Sequence, residues 1–212
     1  MNRLVSPPLF RRVSITALTG LAAAAMVAAS TGATSASSNL TVKYPVTGST
    51  VIKSVNANVA LGPGTLTSTV NLSSGKLSAT LTLPPATASF KQFGLIPVTA
   101  TTAFNQVGKA TGSVNLNTGA VTTKATINIQ VTKLSVAGLP VPVGKSCQTA
   151  SPVQVTVKSQ KGFSIVNGGN LAGTYTIGKF AHCGLVTALL NLTIPGAGNT
   201  INLTLGKGKN VG

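Results

Sequence analysis

Few side chains in this sequence can do chemistry, and their types exclude most of it. The chain contains no Asp and no Glu, against 16 Lys and Arg and a single histidine. Glycoside hydrolysis by paired carboxylates is excluded. So is a Ser-His-Asp triad, whose orienting acid is missing. Carboxylate cages for calcium or magnesium cannot be built from side chains. A zinc site would have to recruit Cys147, Cys183 and His182 together and would still lack a fourth strong ligand. The sequence offers no catalytic, cofactor-binding or metal-binding residue.

Two motif echoes do not survive their context. Ser73-Ser74-Gly75-Lys76 has the Ser-x-x-Lys spacing of serine acyl-transfer enzymes, which carry the pair on a helix with further motifs. Here it straddles a glycine between two alternating apolar runs, the mark of a hairpin turn. Gly138 to Ser146 reads GLPVPVGKS, with five residues between its glycines where a phosphate loop has four. Pro140 and Pro142 also remove amide donors that a phosphate cradle needs.

Cys147 and Cys183 are the only cysteines. In an exported chain they are expected to form one disulfide, and without a Cys-x-x-Cys arrangement its role is structural. Closing that loop stabilises the fold by roughly 3–4 kcal/mol if strain is small. His182, beside Cys183, reads as a polar residue at a strand end.

The export expectation comes from residues 1–36. Arg3, Arg11 and Arg12 form a positive start, Val13 to Ala29 an Ala-rich apolar core, and small residues follow. Cleavage is expected after Ala33 or Ala36. Ser14, Thr16 and Thr19 make the apolar run weak as a spanning helix, and no second apolar span follows. Residues 37–212 are then one domain with a short Gly/Lys tail over 206–212. All three arginines fall in the signal, leaving thirteen lysines in the exported chain.

The chain repeats itself. STVNLSSGKLSATLTL (68–83) and GSVNLNTGAVTTKATI (112–127) align at a shift of 44, and Gly94-Leu95 aligns with Gly138-Leu139. The repeat, 68–98 against 112–142, predicts two related hairpins. Leu66, Ser68 and Val70 share one parity, and Leu77, Ala79 and Leu81 the other, so the loop must hold an even number of residues. The expected loops are Ser73–Lys76 and Asn117–Ala120. Leu72 then faces Leu77, Leu116 faces Val121, and only glycine takes positive φ.

Period-two alternation with turn residues continues from Asn39 to Leu205, longest in Val121 to Val131, and no helical stripe follows the signal. The expected fold is all-β: an antiparallel β-sandwich, or partly closed barrel, of about ten to twelve strands. Lys53 and Lys133 break the apolar phase and read as edge or inward lysines that block association. Asn-Leu-Ser/Thr triplets at Asn39, Asn71, Asn191 and Asn202 arise from alternation alone and are not taken as glycosylation sites.

Lysines without acidic partners attract anionic polymers or lipids. Nucleic acid is the weaker candidate, because the exported chain has no arginine and few aromatics. Tyr44-Pro45-Val46-Thr47-Gly48, Leu61-Gly62-Pro63-Gly64, Gly138-Leu139-Pro140-Val141-Pro142 and Ile194-Pro195-Gly196, behind such a signal, resemble uncharacterised secreted all-β proteins of actinomycetes. That resemblance implies export and transfers no activity. The expected function is a non-enzymatic extracellular or cell-envelope β-domain that binds an anionic cell-wall polymer or lipid. The alternatives are a carrier holding an apolar ligand between sheets and, behind it, an oligomeric β-barrel pore.

Overall fold

Alternation of apolar residues with Thr, Ser and Asn produces strands almost throughout the computed structural model, which describes residues 39–212. The strands are β1 (Asn39–Ile52), β2 (Ala57–Asn71), β3 (Lys76–Thr82), β4 (Ala86–Gln92), β5 (Ile96–Gln106), β6 (Ala110–Val114) and β7 (Val121–Val136). They continue with β8 (Leu139–Val141), β9 (Gln148–Thr149), β10 (Val153–Ser159), β11 (Gly169–Ile177), β12 (Phe180–Ala181), β13 (Gly196–Leu205) and β14 (Lys209–Asn210). Every pairing is antiparallel. The all-β expectation holds, and four of the fourteen strands are too short to show as alternation.

The sheet closes. From β10 the order runs β11, β13, β1, β2, β3, β6 and β7, and β7 pairs back onto β10 from Val153↔Ile127 to Lys158↔Thr122. Eight strands therefore close into a barrel, which removes most of the edge liability of an open sheet. Between sandwich and barrel, the structure decides for the barrel. Inward-facing Gly112 and Gly173 permit the tight coiling: a Cβ at either would run into the backbone of Thr122 or Thr156 on the adjoining strand.

β7 belongs to two neighbourhoods. Its first half is a barrel stave between β6 and β10. Its second half leaves the ring, pairing with β5, which carries β4, on one side and with β8 on the other. A bulge opposite Thr101 and Thr102 marks the passage. Val131 and Leu134 are both buried across it, three residues apart, so the bulge shifts the phase by one and turns Lys133 outward. Lys53 lies exposed in a 3-10 turn over Lys53–Val55. Neither lysine points inward, which removes the inward half of the sequence reading.

The repeated hairpins form with even loops of four residues, but the register differs from expectation. Val70 pairs with Leu77 and Val114 with Val121, so the loops are 72–75 and 116–119, and Leu72 and Leu116 face solvent. The reason is the asparagine before each loop. Asn71 Oδ1 accepts from the Ser73 and Ser74 amides at 3.1 and 2.9 Å, and Asn115 Oδ1 accepts from those of Asn117 and Thr118 at 3.0 and 3.1 Å. Such Asx turns end the strand at Asn. Gly75 and Gly119 alone take positive φ there, at 67° and 72°.

One short helix, α1 (Thr187–Thr193), was not expected. Its Leu-Asn-Leu-Thr reads as strand alternation. Asn191 fastens it to β12, accepting from the Phe180 amide at 2.6 Å and donating to the Phe180 carbonyl at 2.9 Å. Cys147 and Cys183 are joined as expected, with Cα atoms 4.3 Å apart and both residues fully buried. The tail is not loose: β14 pairs with β1, and the Gly206 and Val211 amides donate to the carbonyls of Pro45 and Thr41 at 2.9 and 3.0 Å. The signal-like segment lies outside the described residues.

Candidate functional site

The residues singled out for chemistry are not brought together. Ser73 and Lys76 stay in and beside a hairpin loop, where the Ser74 hydroxyl accepts from the Lys76 amide at 3.4 Å. Gly138 sits at the β7–β8 turn with no helix behind it to receive a phosphate. His182 follows β12 with φ 59°, next to the disulfide. Among the described residues no group of three His, Cys, Asp or Glu side chains could hold a metal ion.

What the fold builds instead is an apolar interior. Alternation sends Val46, Leu66, Val70, Leu77, Ala79 and Leu81 inward from β1, β2 and β3, and β7, β10, β11 and β13 supply the opposite wall. They enclose a cavity of about 80 Å³. Two further cavities, each of about 40 Å³, continue it. The first and second share Leu81, Ile127, Val155 and Ile201 as a partition, and the second and third share Thr50, Phe104, Ile129 and Tyr175. The three voids therefore form a string, from the barrel into the space beneath β4 and β5.

No charged side chain lines any of the three. Thr50 donates to the Thr200 carbonyl at 2.7 Å and lies 2.6 Å from the Tyr175 hydroxyl, so the second partition is internally satisfied. Burial raises the Tyr175 hydroxyl pKa, and its hydrogen bond with Thr50 opposes the rise. Ser68 is different. It lines the largest cavity, is 4 % exposed, and its Oγ has no hydrogen-bond partner. A buried hydroxyl without a partner costs about 1–3 kcal/mol. A bound polar group would remove that cost.

One end of the barrel is covered by the β10–β11 loop, residues 160–168, which places Phe163 and Ile165 against Val70, Val114 and Val121. Tyr44 Oη donates to the Ile165 carbonyl at 2.5 Å, and the tail residue Gly208 donates to Val166 O at 2.9 Å. Burial pushes the Tyr44 hydroxyl pKa up to about 12. The cover is therefore held by one phenol and one stretch of tail.

The wall has one seam. β6 begins only at Ala110, leaving β3 beyond Ala79 without a strand paired to it on that side. Gln106 bridges the seam, accepting from Leu81 N at 2.7 Å and donating to Ala79 O at 3.0 Å. Half-buried Leu81, Leu83, Phe104 and Ile127 surround that amide and connect the interior with the surface. None of this was read from the sequence. Gln106 carried no signal there, because a side chain replacing a strand depends on where a distant strand ends.

The outward residues of the staves are mostly Thr, Ser, Asn, Gln and Lys, with Pro45 and Ala60 among the exceptions. Apolar inside and polar outside is the inverse of a membrane-spanning barrel. Among the described residues no helix is long and apolar enough to cross a membrane. No protein-family model, no curated protein and no solved structure matches this chain.

Proposed function

We propose that this chain is an exported binding protein whose barrel holds a slender, neutral, mainly aliphatic molecule with one hydrogen-bonding group. The observation that carries this reading is the partnerless Ser68 hydroxyl in the largest member of a string of apolar cavities. An apolar cavity of about 150 Å³ accommodates benzene. At about 80 Å³ the largest void is too small for a bulky ring, whereas a chain threading all three uses the whole string. With no lysine in the lining, a carboxylate would be buried unpaired, at a cost of several kcal/mol. An alcohol, ketone or ester suits Ser68 better. The absence of every carboxylate side chain supports binding over catalysis. The thirteen lysines support association with anionic envelope components as a second property of the same molecule.

Thermal unfolding with and without decanol tests the assignment. A ligand that binds only the folded state raises the midpoint with concentration. The expected result is such a rise, reduced in Ser68→Ala and abolished when Ala79→Phe fills the cavity. No rise with decanol or decanone, and no perturbation of the Leu81, Ile127 or Ile201 methyl resonances, would refute the container.

A further inference from the structure

At the end of β7 opposite the second repeated hairpin, two adjacent turns present a group of strongly exposed apolar side chains. The β4–β5 turn presents Phe93, Leu95 and Ile96 at 66, 82 and 42 % exposure, and the β7–β8 turn presents Leu139 at 71 %. The turns are neighbours: β5 pairs with β7 at Val98↔Val136, and the Ala137 amide donates to the Pro97 carbonyl at 2.8 Å. Exposed Pro97 and Pro140 complete the surface. Isolated apolar residues on a surface are ordinary, but a contiguous projecting group marks an interaction site.

The backbone is arranged to present this group. Phe93 and Ala137 take φ of 51°, and Gly94 and Gly138 follow at 75° and 82°. The left-handed region is a conformation that bulky residues avoid. At Phe93 the aromatic ring gains no burial in return. Such strain concentrates where a residue has a task outside the fold. The repeat adds a second observation, since Gly94-Leu95 and Gly138-Leu139 occupy equivalent positions in its two copies. Both copies end in a leucine held out at a turn.

Charge selects the occupant. Lys91 lies just behind the first turn, paired with Pro97, and Lys133 is exposed on the same outer face, opposite Thr101. With no Asp or Glu in the chain, no carboxylate side chain offsets them. An apolar projection with lysines behind it, on a molecule without acidic side chains, matches an anionic lipid surface: the apolar tip enters the acyl boundary and the lysines meet the headgroups. We infer that the Phe93–Ile96 and Leu139 turns form a membrane-docking tip that inserts into the interface of an anionic bilayer. This rests on the chain's being outside the cell and not on the barrel's contents.

The chain has no tryptophan, so Phe93→Trp and Leu139→Trp are each single-tryptophan reporters. In the full chain, emission from both positions is expected to shift to the blue with vesicles containing phosphatidylglycerol. With pure phosphatidylcholine, or in high salt, the shift is expected to shrink severalfold. Any attachment through the N-terminal segment leaves these two positions in water, so the reporter separates the two modes. A companion variant, Phe93→Asn with Leu95→Ser and Leu139→Ser, is expected to lose at least tenfold in vesicle partitioning while keeping its unfolding midpoint. Unshifted emission on anionic vesicles, undiminished partitioning of the triple variant, or a dimer in sedimentation that these substitutions dissolve would each overturn the inference. Decanol-dependent stabilisation is scored separately and stands or falls alone.

Discussion

Gln106 replaces a missing length of strand for Leu81: its Oε1 accepts from the Leu81 amide at 2.7 Å, in the gap before β6 begins. Its Nε2 also donates to the carbonyls of Ala79 and Gly108, at 3.0 and 2.8 Å. One amide thus satisfies backbone groups on both sides of the seam. Gln106→Ala removes all three bonds, and each half-buried group left unpaired costs about 1–3 kcal/mol. The expected loss is about 2–4 kcal/mol in urea unfolding, because water reaching the seam relieves part of the cost. Hydrogen exchange at Leu81 N should accelerate more than at Val70 N, whose strand pairing is untouched. A loss below about 0.5 kcal/mol would show that water replaces Gln106 freely.

Asn115 determines where β6 turns. Asn115→Ala removes two side-chain-to-amide bonds in an exposed loop and is expected to cost about 1 kcal/mol, with an unchanged denaturant slope. Gly119→Ala, at φ 72°, should cost about 1–2 kcal/mol for its left-handed backbone. Asn71→Ala in the first repeat should behave like Asn115→Ala. Urea titration of the three variants checks the shared turn chemistry.

Alkaline pH should open the molecule before acid does. The Tyr44 hydroxyl ionises near 10.0 in the unfolded chain, and burial raises this to about 12 in the fold. Between those values the unfolded state loses the proton first, so stability falls as pH rises, by on the order of 2 kcal/mol from this residue. Tyr175 is shifted in the same direction. Denaturation midpoints measured from pH 9 upward should decline, and Tyr44→Phe should decline less steeply from a lower starting point.

In acid the expectation is a flat profile. Acid unfolding protonates native-state carboxylates, and this chain has none among its side chains. The range that tests this runs from about pH 3 to pH 7, where the carboxylates of other proteins titrate. Urea midpoints should therefore change little over that range, and a steep fall with the disulfide intact would contradict the argument.

Cys147 and Cys183 are 36 positions apart. Breaking the bond restores loop entropy to the unfolded state, and Cys147→Ser with Cys183→Ser should cost about 3–4 kcal/mol. The Cys147 carbonyl also accepts from Val131 N at 2.9 Å, tying this loop to β7. Exchange at Val131 N should therefore report the loss locally.

Period and turn chemistry are local, and what depends on them was legible in the residues. Val70, Leu77, Val155 and Leu203 point inward because their neighbours alternate. Gly75 and Gly119 turn the hairpins because nearby residues resist positive φ. The cysteine pairing followed from there being only two. The loop register was readable in principle, through the Asn before each loop, but alternation alone slides past it.

Closure, cover and seam were not legible, because each depends on residues far apart in the chain. The ring needs β1, at the start of the described residues, to pair with β13 near their end, as at Val46↔Leu205. Phe163 and Ile165 look like ordinary loop residues until Tyr44 receives them. Ser68 alternates with its strand like any threonine, and nothing nearby announces that its hydroxyl ends inside an apolar cavity. Backbone pairing over long separations encloses that space, and a pattern of period two carries no record of which strands will meet.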